Sequence, residues 1–175
     1  MTHISVIVVA AGALLLSACS SRSESEVASG TYTDPETGET ANYAVTASED
    51  GATSNVSIKT DDGEMQFGGG AANAKLPAGF TVYPGSKMTG GFAARGTEGS
   101  GGMASFEVRA KAADVIAHFR RQAEAAGMTV TSEIKSGETA IIGAEKSGDA
   151  GTGVQITATQ QGAQVIGTLT YSSGG

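Results

Sequence analysis

Two side chains could act as a nucleophile or a base near neutral pH: Cys19, the only cysteine, and His118, the one histidine besides His3. A cysteine thiolate is a strong nucleophile and a metal ligand. Asp114 precedes His118 by four residues, so on a helix the two stand one turn apart, as an Asp–His dyad awaiting a nucleophile. No serine stands in a G-x-S-x-G elbow to complete it, and the pair reads as a histidine beside a surface carboxylate. One cysteine and so few histidines make no zinc cluster. A calcium loop of the EF-hand type needs alternating oxygen ligands and a glycine at its sixth position. Counted from Asp34 the sixth residue is Glu39, and counted from Asp61 the third is already Gly63, so both acidic stretches read as turns. Gly96-Thr97-Glu98-Gly99-Ser100-Gly101-Gly102 lacks the Gly-Lys-Ser/Thr ending of a phosphate loop and carries Glu98, which repels phosphate. It reads as a mobile hairpin tip. No residue is assigned a catalytic role, no metal or cofactor is expected, and the chain does not read as an enzyme.

Cys19 has a distinctive setting. Val6 to Leu16, VIVVAAGALLL, is uncharged and almost wholly apolar. It is too short to cross a hydrocarbon layer of roughly 30 Å, which takes about 20 residues. It fits the apolar core of an export signal, which runs to about 7–15 residues. The small residues Ser17 and Ala18 follow, then the cysteine. Leu16-Ser17-Ala18-Cys19 resembles the lipobox of bacterial lipoproteins. The resemblance implies that the Cys19 thiol receives a diacylglycerol and that the chain is cut between Ala18 and Cys19. It also implies that the new amino group is acylated. The leading segment Met1-Thr2-His3 departs from the usual pattern in having no Lys or Arg.

Two or three acyl chains hold a protein on a membrane, each buried methylene contributing about 0.8 kcal/mol. In diderm bacteria an Asp after the cysteine commonly retains a lipoprotein at the inner membrane. Ser20 therefore implies the periplasmic face of the outer membrane, with the inner membrane as the alternative. The covalent lipid on Cys19 is the only non-protein group expected.

Charge separates the halves of the chain. Arg22 to Lys75 holds 10 acidic and 3 basic residues, whereas the chain from Leu76 onward holds 8 of each. An acidic half excludes the basic stripes by which proteins displace counterions from nucleic acid. It equally disfavours a polybasic grip on anionic lipid.

The pattern divides the chain into a signal peptide (1–18), a flexible tether (19–29), an acidic β-hairpin or meander segment with a Gly-rich joint (30–72) and a second unit (73–175). In the third segment Tyr43 and Val45, Val56 and Ile58, and Met65 and Phe67 alternate with polar neighbours, as half-buried strands do. Asp34-Pro35-Glu36-Thr37-Gly38, Glu49-Asp50-Gly51 and Asp61-Asp62-Gly63 separate them, and Asp-Gly favours hairpins. In the last unit Ala104, Phe106 and Val108 mark a strand. Lys111 to Ala126 carries a helical stripe of Val115, Ile116, Phe119, Ala123 and Ala126, closed by Gly127. Strands are predicted at Met128–Ile134, Thr139–Glu145, Val154–Thr159 and Val165–Tyr171. The expected fold class is α+β: a two-layer sandwich of one helix on an antiparallel sheet, preceded by a small β-meander. The LPAGFTVYPGSK segment and the order strand, helix, strands resemble small uncharacterised proteobacterial lipoproteins, a resemblance that implies no catalytic residues.

The candidate partner or ligand surface comprises Tyr83, His118, Arg120 and Arg121. The expectation is a lipid-anchored, periplasm-facing binding or scaffolding protein of the cell envelope with an envelope protein partner. Its working surface would be an exposed sheet face or edge. The alternatives are a small-ligand-binding or sensory lipoprotein with a pocket near Tyr83 and His118, and, third, an envelope hydrolase.

Overall fold

A computed structural model describes residues 24–48, 54–69, 74–149 and 151–174. The signal segment, Ala18, Cys19, the start of the tether, the Glu49-Asp50-Gly51 turn and part of the Gly-rich joint lie outside the described residues. The elements are β1 (Glu24–Thr33), β2 (Thr40–Ser48), β3 (Ser54–Thr60), β4 (Gly63–Gly69), β5 (Lys87–Gly96), β6 (Gly99–Val108), α1 (Ala112–Ala125), β7 (Met128–Ser136), β8 (Thr139–Lys146), β9 (Gly153–Gln161) and β10 (Gln164–Gly174).

All ten strands form one antiparallel sheet in the order β1-β2-β3-β4-β5-β6-β10-β9-β8-β7. The chain runs as a meander from β1 to β6 and crosses over through α1 to β7 at the far edge. It then returns strand by strand until β10 pairs with β6. The expected α+β sandwich with a separate meander is therefore corrected to a sheet-dominated fold with one short helix. The meander and the second half are joined edge to edge through β4 and β5, where Phe67 faces Phe92 and Gly68 faces Gly91.

Glycine is the physical reason for the difference. In sequence it reads as punctuation, but here much of it lies inside strands where the backbone is closely approached. A β-carbon at Gly91 would lie 2.5 Å from the Met103 carbonyl oxygen, and one at Gly102 would lie 2.5 Å from that of Phe92. The stretch Gly96–Gly102 is accordingly not a mobile tip. Only Thr97 and Glu98 turn, and Gly99 to Gly102 belong to β6. At the other end β1 takes in residues 24–29 of the expected tether, pairing Ala28 with Val45 and Ser29 with Ala44.

Local chemistry accounts for the turns. The Asp34 carboxylate accepts backbone hydrogen bonds from Glu36 (2.7 Å) and Thr37 (3.0 Å). Those bonds, Thr37's above all, hold its pKa below the ordinary carboxylate value. Gly38 completes the turn at φ 75°, a conformation that costs glycine little.

The helix covers one side of β7, β8 and β9. Val115, Ile116, Phe119 and Ala123 face the sheet, and they pack with Phe106, Ile142, Ile156, Val165 and Leu169 into one core. No side chain of Lys111 caps the helix. Gln160 of β9 does so from across the fold, its Oε1 accepting from the Ala112 N–H at 2.8 Å and its Nε2 donating to the Ala110 carbonyl at 3.1 Å. Every buried apolar residue of the core lies at Phe80 or later, so among the described residues the meander β1–β4 adds none.

Candidate functional site

The strand register shows which side of the sheet each residue occupies, since successive side chains alternate. On the helix side the right half carries Phe106, Val108, Leu169, Ile156 and Ile142, all buried under α1 or beside it. On the same side the left half is polar. Asn42, Lys59, Glu64 and Arg95 lie in one row across β2 to β5. Lys59 pairs with Glu64 at 3.7 Å, and Thr31 donates to Asn42 at 2.8 Å.

The polarity is reversed on the outer side. There the right half is rich in Thr and Gln, with Gln155, Thr157 and Thr159 on β9 facing Thr170, Thr168 and Ile166 on β10. The left half is apolar in two adjacent rows. One runs Ala28, Val45, Val56, Phe67, Phe92, Met103 from β1 to β6, and the next runs Tyr43, Ile58, Met65, Ala94 from β2 to β5. Phe67 and Phe92 stack with ring centroids 6.0 Å apart. No described element packs over these rows: Tyr43 is 41%, Met65 40% and Phe67 38% exposed. Neither row carries an Asp, Glu, Lys or Arg: Glu26, Lys59, Glu64 and Arg95 all face the helix side, and the charges of the outer side of β5 and β6 are Lys87 and Glu107, an ion pair at 3.8 Å beyond the rows.

The reversal turns on β6. Its Ala104, Phe106 and Val108 belong to the core under the helix, while Met103 points to the outer side. One strand thus closes one apolar layer and ends another, and among the described residues only the first is covered.

The residues singled out from sequence lie elsewhere. Tyr83 and His118 are brought together edge to face, with ring centroids 5.3 Å apart. His118 does not engage Asp114. Its Nε2 lies 3.3 Å from the Thr81 carbonyl and beside the Gln122 amide nitrogen. Gln122 in turn accepts from the Thr81 N–H at 2.6 Å and donates to its carbonyl at 3.1 Å. This cluster ties the 80–86 segment to α1, so packing explains it and the dyad is not formed. Arg120 forms an ion pair with Glu133 of β7, whose hydrogen bond and charge raise the guanidinium pKa. Arg121 is exposed on the helix, apart from that pair. The four do not converge on a single pocket. Cys19 and Ala18 lie outside the described residues. No group of three or more His, Cys, Asp or Glu is placed to hold a metal among the described residues.

A groove of about 450 Å³ opens on the helix side where the apolar core gives way to the polar left half. Glu64, Lys75, Arg95 and Tyr171 line it. A hydrogen bond from Gln66, with smaller help from Lys59, Ser57 and Lys75, holds the Glu64 pKa below the ordinary value.

The outer apolar rows are the candidate surface that the sequence reading did not assign to a site. Their signal was present in the alternation of Tyr43 with Val45, Val56 with Ile58, and Met65 with Phe67. What alternation leaves open is whether a second layer covers the apolar side.

Compared with family models, curated proteins and solved structures, the chain matches none significantly.

Proposed function

We propose that the protein is a lipid-anchored binding or scaffolding module of the bacterial cell envelope, facing the periplasm and without catalytic activity. The anchor would be the acylated Cys19, on the outer membrane. The observation that carries the binding reading is the outer side of β1–β6, two apolar rows without Asp, Glu, Lys or Arg that no described element covers. Monomers seldom leave a continuous apolar patch of this kind bare, and such patches mark interaction surfaces. His118 is held by Thr81 and Gln122, which supports a structural role for the histidine of the helix.

A photo-crosslinking residue at Tyr43 or Met65, in intact cells, tests the reading. An envelope protein captured from both positions and not from Ser57 on the helix side is the expected result. No adduct from either position overturns it. Mass spectrometry of the mature amino terminus tests the anchor: acylated Cys19 is expected, and an intact Met1 with a free Cys19 thiol rules it out.

A second reading rests on the groove by Glu64, Lys75, Arg95 and Tyr171, which suits a small polar ligand carrying both charges, as a sensory lipoprotein would bind. Isothermal titration with zwitterionic amino acids and Arg95→Ala as the control would support or remove it.

A further inference from the structure

We infer that the occupant of the outer apolar side is a second copy of this chain, stacked sheet on sheet to give a two-fold β-sandwich. The inference rests on the binding-module reading above and names its partner.

The area is sufficient. Six strands about 4.8 Å apart, bearing two apolar rows, expose on the order of 600 Å² per copy, so two copies bury about 1,200 Å². That lies at the lower end of the range for specific, stable interfaces.

The charge pattern selects the partner. The two rows carry no Asp, Glu, Lys or Arg, so they neither steer a charged partner nor repel their own image, and the neighbouring Lys87–Glu107 ion pair carries no net charge. The acidity of the left half, which would oppose self-association, stands on the other side of the sheet or in the turns: Glu26 and Glu64 face the helix side, and Asp34, Glu36, Asp61 and Asp62 lie in loops. A partner matched to this surface is itself flat, apolar and uncharged, and the surface of this chain has those properties. A two-fold contact needs only one self-complementary patch. Large side chains at Tyr43, Ile58, Met65, Phe67 and Phe92 are interleaved with small ones at Ala28 and Ala94, the relief that two sheets packed about 10 Å apart interdigitate. Anchoring adds to this. With Cys19 acylated, residues 20–23 alone separate the lipid from β1, so copies share one plane at high effective concentration.

The acylated chain has no free thiol, so single introduced cysteines report the contact. Two copies with different epitope tags, both carrying Met65→Cys, are co-expressed and treated in intact cells with a short bismaleimide. An adduct bearing both tags is expected, and it should be absent with Ser57→Cys on the helix side. Adding Phe67→Lys to Met65→Cys should lower the doubly tagged adduct at least tenfold while protease resistance of the chain is unchanged. A doubly tagged adduct that Phe67→Lys leaves unchanged overturns the proposal. An adduct of Met65→Cys with a different protein overturns the second copy as occupant and leaves the binding reading standing. A thiol at position 65 that reacts freely and yields no adduct overturns both. A thiol shielded from maleimide with no adduct shows cover by lipid or by the chain's own residues, and that also overturns the second copy.

Discussion

Phe106 and Gly167 stand directly opposite each other on β6 and β10, and the phenyl ring lies where a β-carbon on Gly167 would project, 2.1 Å from its nearest atom. Phe106 is fully buried and touches Phe119 of the helix, with ring centroids 5.6 Å apart, so it has no free space to retreat into. Gly167→Ala should destabilise the fold by about 1–3 kcal/mol through overpacking. Urea unfolding would show it as a lower midpoint at unchanged slope. The same relation recurs where Tyr171 lies over Gly102 and Tyr43 over Gly30.

Gln160 is the second sensitive position, for a polar reason. Its amide accepts from the Ala112 N–H and donates towards the carbonyls of Ala110, Gly162 and Gln164. It caps the helix and fastens the β9–β10 turn at once. Gln160→Ala should cost about 1–2 kcal/mol, the range for a lost cap, and hydrogen exchange should speed up first at Ala112 and its neighbours.

These two positions show what the sequence could and could not express. Local patterns were legible: the stripe from Val115 to Ala123 is the helix, and Asp61-Asp62 is a two-residue turn between β3 and β4. Strand partners far apart were not. Gln160 lies 48 residues from Ala112, and nothing in its neighbourhood marks it as a cap. A bulge between Val130 and Ser132 also escaped the alternation. It shifts the register so that Ile134 is exposed and Glu133 turns to the helix side, where it meets Arg120. For the candidate site, the apolar alternation was readable at Tyr43, Ile58 and Phe67. The absence of a described layer above them follows from topology, because α1, the one helix among the described residues, packs on the opposite side of the sheet against β7, β8 and β9.

Stability should fall at both ends of the pH scale for identifiable reasons. Burial raises the Tyr171 pKa above its ordinary 10.0, opposed in part by the Arg95 charge. A raised phenol pKa favours the neutral ring in the fold. The contribution is whole below about pH 10 and is lost as pH rises through the folded value. Tyr171→Phe should flatten that alkaline decline. Glu64 works in the opposite direction. Its depressed pKa contributes stability above the ordinary 4.5, lost as pH falls through the folded value, and Glu64→Gln should remove that part of the acid decline. Thermal midpoints measured from acid to alkaline pH would check both.

Two phenylalanines, Phe119 on α1 and Phe67 on β4, should respond differently to truncation. Phe119 is fully buried in the core, and Phe119→Ala should cost about 3–5 kcal/mol at any protein concentration, since it leaves a cavity that its neighbours cannot fill. Phe67 is 38% exposed and stacks on Phe92. In a lone chain Phe67→Ala removes part of one side chain's burial and should cost about 1 kcal/mol. If copies stack through this surface, the wild type gains stability with concentration by mass action and the variant does not. The difference between wild type and Phe67→Ala should therefore widen as protein concentration rises, while that for Phe119→Ala stays constant. Denaturant midpoints across a hundredfold concentration range would separate the two behaviours, and a constant Phe67 difference would show that the outer surface plays no part in self-association.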